Sequence, residues 1–171
     1  MDDVKTSQRR AVLAGALGLA AAAAVGLPYA LVVVRDNAAT SFNAQDRAYL
    51  TDTAAGRAFV ALAKLVPGTE RAWRMAHLEA LTNAFLALLI AALTPLAAGG
   101  GRLAPSETLA LGDSAATLVA SNVAGSVVAA VAGVRGLTLG GSAPNVLATM
   151  CFLPGVYALP RAAYLLARGV W

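Results

Sequence analysis

"AVLAGALGLAAAAAVGLPYALVVV" occupies residues 11–34, with Arg9-Arg10 before it and Arg35-Asp36 after it. The run holds no charged residue, and as a helix rising about 1.5 Å per residue it is long enough to cross the ~30 Å hydrocarbon core of a bilayer. The segment "SQRRAVLAG" at residues 7–15 has the paired arginines of a twin-arginine leader. The apolar run behind it exceeds the roughly 7–15 residues of a leader's hydrophobic region, so it reads as a retained membrane span.

Three more runs of the same kind follow, at about Met75–Ala98, Glu107–Val134 and Val146–Ala167, separated by Gly99-Gly100-Gly101 and "RGLTLGGSAPN" (135–145). Glycine and proline clusters of this type are turns. The chain of 171 residues is 58 % hydrophobic and 13 % charged, where soluble domains carry about 45–50 % and about 25 %. Its mean hydropathy is +0.67. The expectation is an all-α integral membrane four-helix bundle, a single membrane domain over residues 1–171 with both termini on one side. No length remains for a separate catalytic domain. The segment 36–74, which mixes charges with "YLTDTAAGRAFVALAKLV", predicts one short amphipathic helix lying at the interface.

The net charge of +4 comes from Lys and Arg at the edges of the apolar runs, where they anchor helices to headgroups. This distribution argues for a lipid bilayer partner and against nucleic acid. The two sides carry nearly equal numbers of basic residues, so charge marks neither as cytoplasmic. The single cysteine, Cys151, allows no intrachain disulfide and no cysteine-rich zinc site. Walker, GxGxxG, HExxH and nucleophile-elbow motifs are all absent from the sequence, which removes support for ATP-driven, nicotinamide and hydrolytic chemistry. Stripes of small residues, Gly18-Ala22-Gly26 in the first span and Ser121-Gly125-Ala129-Gly133 in the third, allow close approach of helix backbones within or between chains.

Polar groups inside a bilayer are costly, which makes "MAHLEALTNA" (75–84) the most informative stretch. His77 is the only histidine, and Glu79 and Asn83 share a helical stripe that lies about 160° away from His77 in the case of Glu79. Arg71 and Arg74 are the candidate partners of Glu79. His77 has two readings: an imidazole wetted at headgroup level beside Trp73 and Arg74, or a metal ligand. One imidazole is too few for zinc, whereas haem needs only one axial ligand because the porphyrin supplies the other four nitrogens. A sixth ligand for electron transfer would have to come from Met75, Met150 or a second chain. In the third span Asp113, Thr117 and Ser121 form one polar stripe with Asn122 and Ser126 beside it. These groups either line a cavity or bond to their own helix backbone, with Asp113 near the interface. Pro154, Gly155 and Pro160 predict a bent fourth span, whose Tyr157 and Tyr164 reach a pocket or an interfacial belt.

Together, "AWRMAHLEALTNA" (72–84) and "SNVAGSVVAAVAGVRGLTLGGSAPN" (121–145) resemble the styrene oxide isomerase family. The resemblance is carried by the spacing of Trp73, His77 and Asn83, the Ser121-Asn122 pair, and Arg135-Gly136-Leu137-Thr138 before Gly140. It implies a homotrimer in a bacterial inner membrane, binding haem b between neighbouring subunits with His77 as axial ligand. Trp73 and Arg135 would stand on the cofactor side, and Asn83, Asn122 and Ser126 on the substrate side. It further implies that ferric iron acts as a Lewis acid on the oxygen of a small hydrophobic aryl epoxide, opening it to a benzylic cation that rearranges to an aldehyde by a 1,2-hydride shift. One departure stands out: the family's pocket tyrosine falls on Ser126, and the third span has no tyrosine. A shorter side chain there implies a different substrate or a substitute group. The rival readings are a non-catalytic or electron-transfer haem protein of the same fold and a small transporter using Glu79 as its intramembrane acid.

Overall fold

The computed structural model describes residues 2–38, 40, 42–134 and 141–171. All regular structure among them is helical: α1 (Asp2–Asn37), α2 (Ala44–Asp52), α3 (Ala54–Ala63), α4 (Glu70–Gly99), α5 (Pro105–Ala132) and α6 (Ala143–Val170). Four of these, α1, α4, α5 and α6, are long and apolar enough to cross a membrane. α1, α4 and α6 are longer than their apolar runs, whereas α5 is shifted two residues toward the N-terminus of its run. Asp2 and Asp3 lie in the first turn of α1 and Arg35 in its last, complementing the helix dipole. Thr69 accepts from the Ala72 N–H to open α4. Pro105 begins α5, and the Glu107 carboxylate accepts from the Ala104 N–H at 2.9 Å. α6 runs unbroken through Pro154 and Pro160.

Between the first two spans the structure departs from the single interfacial helix expected. There are two short helices, because Asn43 caps one and Thr53 both closes it and caps the next, accepting from Gly56 N–H. The amphipathic character expected of this segment belongs to α3, which leaves Phe59 and Leu62 exposed.

α4 and α5 are the most enclosed spans, with 44 % and 39 % of their apolar stretches buried against 22 % for α1, and each packs on the other three. The glycines of α1 face α4. A Cβ on Gly18 would stand 2.8 Å from Ala84 Cβ and 3.1 Å from Val119 Cγ1, so this small-residue stripe packs within the chain, as backbone approach in lipid requires. The stripe on α5 serves α6 in the same way, Gly125 lying against the Phe152 ring.

Both ends of the bundle are tied. Arg35 donates to the carbonyls of Val66 (2.7 Å) and Gly68 (2.9 Å) and pairs with Asp36. The Trp73 indole donates to the Pro67 carbonyl at 2.7 Å. Gly68 adopts φ +84° against the Ala130 carbonyl, a position closed to any side chain. At the opposite end Arg10 pairs with Asp113 at 2.5 Å and Arg168 with Glu107. Asp113 is therefore held in an ion pair at the bundle's end. Tyr157 and Tyr164 are exposed on the outer face with Leu147, Met150 and Leu153, where a membrane protein meets lipid.

Candidate functional site

Four of the residues singled out in the sequence converge, Glu79 among them. Asn83 from α4 and Asn122 and Ser126 from α5 line one cavity of about 900 Å³, walled on the α6 side by Phe152, Gly155 and Val156. Its polar lining includes Arg71, Glu79 and Thr82 besides a hydrogen-bonded pair of amides. Asn83 Nδ2 donates to the Glu79 backbone carbonyl at 2.7 Å and to Glu79 Oε2 at 3.0 Å. Asn122 Nδ2 donates in turn to Asn83 Oδ1 at 2.9 Å. The direction is forced, because a backbone carbonyl only accepts. It fixes which way the Asn83 amide faces, and that in turn fixes Asn122. Both hydrogens of Asn83 Nδ2 are then engaged, and Asn122 retains one N–H for a ligand in the cavity.

The remaining hydroxyls are quieter. Ser126 Oγ donates to the Val123 carbonyl and Ser121 Oγ lies toward that of Leu118, the within-helix bonding that serine adopts in apolar surroundings. Glu79 is paired with Asn83 rather than with Arg71 or Arg74. Arg74 sits five residues back, about 140° round the helix, and among the described residues neither arginine forms an ion pair with it. Glycine at 155 allows α6 to close over this site: a Cβ there would stand 2.7 Å from Asn122 Oδ1.

His77 lies elsewhere. Its Nδ1 is 2.9 Å from the Ala22 carbonyl of α1, and its ring stacks on Tyr29 with centroids 6.2 Å apart and planes inclined at 27°. The half-buried imidazole, near the start of its own apolar run, thus lies level with Ala22, midway along the apolar run of α1. Trp73 is buried in a cluster with Val25, Val32, Ala76 and Ala130. Arg135 lies outside the described residues. Reading the sequence did not single out Tyr29 as a neighbour of His77. The stack depends on how α1 and α4 are aligned, which no spacing within either helix reports.

Among the described residues no three His, Cys, Asp or Glu side chains gather to hold a bare metal ion. The donor set is a single anchored imidazole, which suits a group that brings its own equatorial ligands. Fold and cavity together define a helical membrane protein with a mainly apolar, ligand-sized pocket tipped by amides. Residues 7–171 match the family described as styrene oxide isomerase. The chain belongs to the styrene oxide isomerase family, whose activity is epoxide isomerisation. Comparison with curated proteins and with solved structures returned no match.

Proposed function

We propose that the protein is a haem b-dependent isomerase that converts an aryl epoxide to an aldehyde within the membrane, working as a homotrimer. The observation that carries this reading is the placement of His77 and the amide-lined cavity on opposite sides of α4, the first against α1 and the second against α5 and α6. A ligand on His77 therefore does not share a face of α4 with Asn122 of the same chain. Two copies side by side, one offering His77 and the other its cavity, satisfy both requirements, which supports a site between subunits.

Haem, when bound, supplies a ferric Lewis acid for the epoxide oxygen. His77 would hold it through Nε2. On the cavity side the Asn122 N–H donates to the same oxygen as negative charge develops on it. The benzylic C–O bond breaks, a hydride moves from the oxygen-bearing carbon to the benzylic carbon, and the C=O bond forms. No proton or electron leaves the substrate. Phe152 and Leu118 give the cavity an apolar wall that suits an aryl ring and keeps water from the cation. Ser126 at the pocket wall leaves more room than a tyrosine would, which favours an epoxide bulkier than styrene oxide.

The test is a spectrum and an assay on the protein purified in detergent after expression with haem supplied. A Soret band and conversion of aryl epoxides to aldehydes are expected. A colourless protein would remove the haem, and a coloured protein inert towards a varied panel of epoxides would favour the non-catalytic haem reading.

A further inference from the structure

We infer that α1 selects the tautomer of His77: the Ala22 carbonyl takes the hydrogen on Nδ1, Gly26 leaves the space for that contact, and Nε2 is the nitrogen presented for ligation. The inference rests on the proposed role of His77 as a haem ligand, and it assigns a function to a helix that otherwise contributes packing.

A backbone oxygen has lone pairs and no hydrogen, so a 2.9 Å approach of Nδ1 to the Ala22 oxygen is favourable only when Nδ1 carries the hydrogen. A neutral imidazole has one such hydrogen, and the lone pair is then on Nε2. Among the described residues Nε2 has no hydrogen-bond partner. A metal-bound histidine characteristically has this arrangement, its second nitrogen donating to a carbonyl that orients the ring and raises its basicity.

The helix must expose that carbonyl. In an α-helix the oxygen of residue i points toward residue i+4 and is bonded by its N–H, so the side chain at position 26 is the one best placed to obstruct a second donor to Ala22. Position 26 is glycine. A Cβ there would lie 3.3 Å from His77 Nδ1 and 3.4 Å from Cε1, tight enough that the ring would have to give way slightly. The second lone pair of the Ala22 oxygen is thereby left for His77. Tyr29, three residues further on, stacks on the imidazole from the same helix. Two successive turns of α1 thus provide acceptor, clearance and wall.

His77 is the only histidine, so ¹⁵N-histidine labelling of the full chain in lipid nanodiscs reports a single imidazole. The expected spectrum of the haem-free chain has Nδ1 protonated and Nε2 bare. In the diamagnetic ferrous carbonyl form, Nδ1 should keep its hydrogen while the Nε2 resonance shifts on binding iron. Gly26→Ala is expected to speed exchange of the Nδ1 hydrogen by about tenfold, the effect of one weakened hydrogen bond. It should also lower haem affinity by about tenfold, the smaller end of the range for outer-shell changes. Gly18→Ala disturbs the same helix pair against Ala84 and should leave the tautomer unchanged, which separates positioning from packing. A hydrogen on Nε2 in the wild-type chain, or iron bound through Nδ1, would overturn the inference. A chain with the hydrogen on Nδ1 and no Soret band would instead overturn ligation by His77 and support the tautomer assignment. The wild-type spectrum decides the tautomer even if Gly26→Ala fails to fold.

Discussion

The two sides of α4 are built to different rules. Toward α1, Gly15, Gly18 and Gly26 allow the two backbones to approach until Ala84 and the His77 ring are touched directly. Toward α5 and α6 the facing residues are Leu118, Phe152 and the two asparagines, and a cavity of about 900 Å³ remains. The dense side fixes one imidazole in one orientation. The open side supplies volume and an N–H of Asn122 beside the Glu79–Asn83 pair. Rigid packing and ligand space are competing demands on any interior, and here they are met on opposite faces of one helix, so neither compromises the other.

The largest effect that bears on this contrast is expected from His77→Ala. Removing the imidazole should abolish the Soret band and all isomerisation, while the purified protein keeps its helical circular dichroism. Retention of full haem absorbance would break the contrast, since the dense side would then hold no ligand. Next is Asn122→Ala on the open side. The Soret band should persist and kcat/KM should fall about 10²–10³-fold, the cost of removing one donor aimed at developing charge. Loss of haem in this variant would mean that the two sides are not separable.

Glu79→Gln probes the same amide chain from its anchor and should cost less. The glutamine oxygen still accepts from Asn83 Nδ2, and the Glu79 backbone carbonyl is unchanged. A loss of about tenfold in kcat/KM is expected, in keeping with one charge-assisted hydrogen bond becoming a neutral one. The variant also discriminates between functions. Abolished proton-coupled uptake into vesicles, in a protein without haem, would favour the transporter reading.

How much of this was legible in the sequence follows from what lipid demands. A span must be apolar over a set length and must satisfy its own backbone, so four uninterrupted runs were sufficient to read four helices. His77, Asn83, Asn122 and Ser126 stood out because polar groups at that depth are costly. The connections between them did not. Periodicity gives the face of each helix but not the register between helices, so the bond from Asn122 to Asn83 and the grouping of both with Ser126 required coordinates. The Ala22 carbonyl was less accessible still, since every residue has one and only the glycine a turn away marks it. Glu79 bonds to Asn83 on its own stripe, and neither Arg71 nor Arg74, the candidate partners in the sequence, forms an ion pair with it among the described residues. In the segment 36–74 the sequence predicts one helix, although Thr53 closes one and caps a second.

The smallest effect is expected where neither side of α4 is involved. Asp113 attracted notice as an acid within an apolar run, yet it pairs with Arg10 at the bundle's end, with 55 % and 47 % of the two side chains exposed. Exposed pairs contribute roughly 0.2–1 kcal/mol, because water solvates both partners well once they separate. Asp113→Asn should therefore leave the Soret band and kcat/KM unchanged and lower the thermal midpoint by no more than about 4 °C, the shift that ~1 kcal/mol produces in a chain of this size. A larger fall would mean that Arg10 and Asp113 latch α1 onto α5 and that the dense side depends on a tie at its end. Such a variant would then also loosen the contact of His77 with Ala22, and its Nδ1 hydrogen would exchange faster with water.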